Sequence, residues 1–199
     1  MTFKALIADF GGVLTNPLRT VVHEFCVREG VEERGMRVIF GGHEDGSFAA
    51  LERGDITQEQ WNQEAAAQIG VPADNLLSRV LASLAPAEPM LRAVDDARRR
   101  GYLTACLTNS YGTEPHNPYA PWELDARFDV VVVSGVERLR KPDIEIYSRT
   151  LERLGVTGSD CVFVDDNERN LVPARDLGMT AIHFTDADQA AREITRLMV

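Results

Sequence analysis

The sequence predicts an α/β fold: a doubly wound parallel sheet with a block of helices inserted after its first strand. Five short apolar runs carry that expectation: FKALIAD (3–9), YLTACLT (102–108), FDVVVVS (128–134), DCVFVD (160–165) and TAIHF (180–184). Most are continuous rather than alternating, as expected of strands covered on both faces of a parallel sheet. From the second run onward they mostly alternate with helical patterns, at 87–100, 143–154 and 171–177, with a last one at 186–197. That alternation is the order of a parallel α/β core. The stretch from about Asn16 to Pro86, by contrast, contains no convincing strand.

Within that stretch, helical patterns fall near 17–29, 46–53, 57–69 and 73–84. Thr57 and Gln60 have the spacing of a capping box, and Gly30 and Gly70 read as helix stops. The expected division is therefore a core of residues 1–15 and 87–199 and a helical cap of residues 16–86. In the core, Asn170 is expected to cap the helix before the fifth strand, with Pro173 in its first turn. The run ARRRG (97–101) reads as a solvated helix end whose positive charge suits the C-terminal dipole. His23 and His183 read as structural, and Trp61 and Trp122 as packing or cap-contact residues. No internal repeat or low-complexity tract is present.

A chain of 199 residues suits one buried core with a modest insert. Its 44% apolar and 26% charged content is that of an ordinary globular protein. The 21 Lys and Arg against 31 Asp and Glu give a net charge of −10, which argues against nonspecific nucleic-acid binding and leaves room for a locally positive pocket. Cys26, Cys106 and Cys161 are odd in number and form no C-x-x-C, so they read as reduced core thiols and the expected compartment is the cytoplasm. No stretch has the length of a membrane span, and MTFKALIADF lacks the features of a signal peptide. Oligomeric state is left open, a homodimer included.

In an open parallel sheet, ligands bind at the carboxyl ends of the strands. The first run ends in Asp9, followed by Phe10-Gly11-Gly12; the second in Thr108-Asn109-Ser110; the fourth in Asp165-Asp166-Asn167. Lys141-Pro142 precedes the helix before the fourth. Three carboxylates at one edge repel one another unless a cation sits among them, and hard oxygen ligands with open positions suit Mg²⁺. Gly11-Gly12 lets backbone approach an ion or phosphate closely. Thr108, Asn109 and Lys141 supply donors for phosphoryl oxygens. Phosphoryl transfer mainly needs positioning and charge neutralisation, and the Asp9 carboxylate is itself a potential nucleophile.

DFGGVLT (9–15), LTNS (107–110), RKPDIEIY (140–147) and VFVDDNERNLVPARDLGM (162–179) resemble, in order, the four motifs of haloacid dehalogenase-like hydrolases. The last is most similar to the phosphatase domain of soluble epoxide hydrolases and to bacterial sugar-phosphate phosphatases. The resemblance implies a Rossmann-like core with a helical cap and hydrolysis of a phosphorylated small molecule. It implies Asp9 as nucleophile and metal ligand, the Gly11 carbonyl and Asp166 as further ligands, and Asp165 beside them. Thr108 and Lys141 would hold the phosphoryl group, with Asn109 assisting. The chain departs from the family at Gly11, where its phosphatases usually carry an Asp that protonates the leaving oxygen. General acid–base catalysis is worth about 10²–10⁴-fold. Good leaving groups, a substitute donor (His116, His43 or Glu44), or a feebly catalytic phospholigand-binding protein are the three expected consequences. Dehalogenation, which uses no metal, and phosphomutase action are weaker alternatives.

Overall fold

The computed structural model describes residues 3–41 and 46–198. Five parallel strands, β1 (Ala5–Ala8), β2 (Leu103–Thr108), β3 (Val130–Val133), β4 (Cys161–Asp165) and β5 (Thr180–His183), form one sheet of order β3-β2-β1-β4-β5. Each lies within one of the apolar runs. Successive side chains of a strand face opposite sides, and the core divides accordingly. Leu6 and Ala8 of β1 pack with Met90 and Val94 of α6 (Glu88–Arg99) and Ile194 of α11 (Ala187–Leu197). Ala5 and Ile7 pack with Ile146 and Tyr147 of α9 (Ile144–Leu154) and Leu171 of α10 (Glu168–Asp176). Both faces are covered, which is why these strands read as continuous apolar runs. The three cysteines are buried free thiols.

Between β1 and α6 the described residues form five helices: α1 (Leu18–Glu29), α2 (Glu32–Phe40), α3 (Ser47–Glu52), α4 (Gln58–Ile69) and α5 (Leu76–Val80). They enclose an apolar cluster of their own around Phe25, Trp61, Ile69 and Leu76. Thr57 and Gln60 form the capping box of α4, and Gly30 and Gly70 end α1 and α4 in the left-handed conformation. The chain enters and leaves this insert side by side. Thr15 and Pro86 pair as an antiparallel bridge, and the Asn16 carboxamide bonds Ser83 O (3.1 Å) and Ala85 N (2.9 Å).

Three local readings change. Helix α2 was not expected. Its midpoint Gly35 looks like a breaker but is buried against α1, where a Cβ would lie 2.4 Å from Cys26 Sγ. The 73–84 pattern condenses to the short α5. Helix α10 begins one turn earlier than expected. Its cap is Asn167, whose side chain accepts the Arg169 N–H (3.1 Å), and Asn170 instead donates to Asp165 from inside the helix. Pro173 accordingly sits in the helix interior.

Candidate active site

β1 and β4 are adjacent and in register, Ala8 beside Val164, so the residues that follow, Asp9 and Asp165, emerge at the same level. Asp9 is buried, at 7% exposure; its Oδ1 accepts the Phe10 N–H (2.7 Å) and meets Lys141 Nζ at 2.8 Å. Lys141 comes from the loop before α9, is 1% exposed, and also reaches Asp165 Oδ2 at 2.6 Å. Asp165 is fully buried, and its Oδ1 accepts from Asn167 N and Asn170 Nδ2, both at 2.9 Å. Both its oxygens are thus engaged, and its evident task is to hold Lys141 and the start of α10. Asp166, exposed at the rim, lies against Gly12. With a φ of +89° and a position where a Cβ would fall 2.5 Å from Asp166 Oδ2, residue 12 can only be glycine without displacing that carboxylate.

Asn109 spends its carboxamide on the Lys141 backbone, accepting from Lys141 N (2.7 Å) and donating to Lys141 O (2.9 Å). It therefore clips the end of β2 to the lysine loop. Thr108 is buried at the end of β2, its hydroxyl 3.4 Å from Asn109 O.

Ligand oxygens of Asp9, Asp165 and Asp166 lie within 4.8 Å of one another. Burial, reinforced by the Asp165 and Asp166 charges and opposed by Lys141, pushes the Asp9 carboxyl up to about 8. Asp166, though open to solvent at the rim, is raised by partial loss of hydration and by the Asp165 charge. Burial alone would discharge Lys141, but the Asp165 and Asp9 carboxylates outweigh it and hold its pKa above the ordinary value. With all three carboxylates ionised, the one ammonium would leave two negative charges. This donor set fits a hard divalent cation, which would balance the charge and return Asp9 to its ionised form.

A cavity of about 530 Å³ opens over these residues. Asp9, Gly11, Asn109, Lys141 and Asp166 belong to its floor, and Leu18, Val38, Phe40, Phe48 and Ala49 of the insert give it an apolar wall. His116 lines a different cavity, with Arg92 and Trp122, and its backbone is held by the Gln58 carboxamide. The structure does not bring it to Asp9. His43 and Glu44 lie outside the described residues. The cavity residues that the sequence reading does not single out include Glu52 of α3 and Arg140, which pair at 2.9 Å across the junction of insert and core. Arg140 had a signal, as the neighbour of Lys141 in RKPD; Glu52 had none.

A family model described as haloacid dehalogenase-like hydrolase matches residues 3–178. The chain belongs to the haloacid dehalogenase-like hydrolase family. Among curated relatives of this hydrolase, the sesquiterpene phosphatase astK of Aspergillus oryzae is 27% identical, over 99% of this chain and 97% of that protein. Phosphatase MT3486 of Mycobacterium tuberculosis is 30% identical, over 98% and 94%. Bifunctional epoxide hydrolase 2 of Sus scrofa is 28% identical, but the chain spans only 39% of its length. A haloacid dehalogenase family enzyme of Bacteroides thetaiotaomicron, solved with magnesium and inorganic phosphate, shares the fold. Its TM-score is 0.73 at 23% identity, over 92% of this chain and 94% of that one. No described helix of this hydrolase is long and apolar enough to cross a membrane.

Proposed function

We propose that this hydrolase is a magnesium-dependent phosphatase of small organic phosphates, acting through an aspartyl phosphate on Asp9. One observation carries the reading: Asp9 stands at the floor of the cavity, held at one oxygen by Lys141 and Phe10 N–H, within 4.8 Å of two further carboxylates. Asp9, Asp166 and the Gly11 carbonyl would hold the ion, with Asp165 behind them. The bound cation supplies positive charge against the phosphoryl oxygens.

The remaining work falls to the chain's own groups. Lys141 and the Phe10 N–H orient the Asp9 carboxylate, leaving it aimed at phosphorus. Lys141 and the Thr108 hydroxyl stabilise charge on the transferring group. Asn109 fixes the lysine loop. Residues 16–86 act as a cap whose apolar wall receives the organic part of the substrate and excludes water. That wall, together with the relative named a sesquiterpene phosphatase, supports an apolar alcohol moiety.

The test is phosphate release from a panel of esters with and without Mg²⁺. Native protein is expected to turn over at least one ester only with the metal, and Asp9→Asn to lower that rate by about a thousandfold or more. A second reading, a phospholigand-binding protein of feeble activity, is favoured by the missing side chain at Gly11. Phosphate binding without Asp9-dependent turnover on any ester would select it.

A further inference from the structure

We propose that Glu52 of α3 is the general acid of the reaction, giving its proton to the leaving oxygen from the insert side of the catalytic cavity. The proposal rests on the reading of Asp9 as the phosphoryl acceptor.

In phosphoryl transfer the attacking and leaving oxygens stand roughly in line across phosphorus. With Asp9 on the floor of the cavity, the leaving oxygen faces the opposite side, which the insert supplies. Phe48, Ala49 and Glu52 of α3 all line that side, as positions three and four apart on one helix face do. Among the described insert residues of the cavity, Glu52 carries the one carboxyl. Its side chain is 12% exposed. Oε2 meets Arg140 at 2.9 Å, and Oε1 accepts no hydrogen bond from the described residues. Arg140 thereby steers the carboxyl and leaves one oxygen for the substrate.

An alcohol leaving group needs a proton, and residue 11 has no side chain to give one. Elsewhere on the described lining, Asp165 and Asp9 hold Lys141 charged, and Arg175 holds the Glu168 carboxyl below the usual range. Asp9 and Asp166 are committed to phosphorus and to the metal. Glu52 keeps its proton better: burial raises its carboxyl, and Arg140, Lys141 and Arg53 oppose that without outweighing it. The Tyr111 hydroxyl also faces it and is itself kept neutral by burial. Arg140 keeps part of the Glu52 population ionised, so a second acid at residue 11 would still add to the rate. Asp9 Oδ bonds to phosphorus, and the bond from phosphorus to the alkyl oxygen breaks. The electron pair stays on that oxygen, which takes the Glu52 proton and departs as the alcohol. Water then attacks the aspartyl phosphate at phosphorus from the side the alcohol has left, giving its proton to the Glu52 carboxylate. The Asp9 carboxylate and orthophosphate are released, and Glu52 is again protonated.

The experiment measures kcat/KM for n-decyl phosphate and for 4-nitrophenyl phosphate in excess Mg²⁺, on native protein and on Glu52→Gln. The 4-nitrophenolate leaves without a proton, and the Gln carboxamide oxygen can still accept from Arg140. Taking the ratio of the two substrates cancels any loss of folded protein. The decyl-to-nitrophenyl ratio should fall by about a hundredfold in the variant. A role confined to joining insert and core would lower both rates together, so an unchanged ratio overturns the proposal and leaves the phosphatase reading standing. Turnover of neither ester in an Asp9-dependent way would end the phosphatase reading, and the proposal with it. The pH dependence gives a second readout that needs no variant. The native ratio should decline as pH rises and the Glu52 proton is lost, and in Glu52→Gln it should be flat over the same range. A flat native ratio, or a decline that persists in the variant, overturns the proposal.

Discussion

Gly11 and Gly12 are neighbours with opposite demands. A Cβ on Gly11 would meet nothing within 4 Å, so the floor of the cavity has space for a side chain there. Gly11→Asp is expected to fold normally and to raise turnover of poor leaving groups such as alkyl monophosphates by about tenfold or more, toward the usual worth of general acid catalysis. A fall, or no change, in monophosphate kinetics would count against the account of the missing acid. At Gly12 the backbone is left-handed and a Cβ would strike Asp166 Oδ2. Gly12→Ala should therefore displace the rim carboxylate. The magnesium concentration giving half-maximal activity should rise by about tenfold, as read by titrating activity with the metal; an unchanged midpoint would remove Asp166 from the metal site. The motif spacing made Asp9, Lys141 and Asp165-Asp166 legible in advance, because each follows a strand or opens a helix. The part played by Asn109 was not legible. Its two bonds to the Lys141 backbone depend on two loops meeting, 32 positions apart in sequence.

The strands were the most readable elements, since a doubly covered sheet leaves continuous apolar runs with sharp polar ends. Helix α2 was unreadable for a reason seated in one contact: Gly35 looks like a breaker, yet it is the small residue that lets α2 cross α1 over Cys26. Gly35→Ala is expected to destabilise the fold by about 1–3 kcal/mol through overpacking. Adding Cys26→Ala removes the sulfur and leaves the Cys26 Cβ 3.5 Å away, so the double variant should recover part of the lost melting temperature. Strict additivity of the two changes in thermal denaturation would show that the contact is not the cause. The start of α10 was misjudged by three positions because Asn167 and Asn170 are both credible caps; only the buried Asp165, which claims the Asn170 amide, decides between them. His116 follows β2 closely in sequence, yet the Gln58 carboxamide ties its loop beside a different cavity.

The insert and the core meet at the Thr15–Pro86 bridge, at Gly54 packed against the Gly135 carbonyl, and at the Glu52–Arg140 pair. A Cβ on Gly54 would stand 2.4 Å from that carbonyl oxygen. The ion pair is largely shielded, with 12% and 18% of its side chains exposed. Breaking it by Glu52→Arg should cost roughly 2–3 kcal/mol, because it leaves like charges facing each other in a poorly hydrated place. The exchange Glu52→Arg/Arg140→Glu should restore part of the melting temperature. A swap no better than the single variant would mean the pair does not join the two parts. No sequence pattern signals this junction, since Glu52 and Arg140 are brought together only when the insert settles on the core.

The lining of the catalytic cavity is divided by origin. Its aspartates and its lysine come from strand ends and the loop beside them, while its greasy side comes from α1, α2 and α3 of the insert. The proposed nucleophile and the proposed substrate-selecting wall thus lie on different stretches of the same polypeptide. Evolution can retool such a catalyst as a craftsman changes a chuck, by exchanging the helices that grip the workpiece while the motor is left alone.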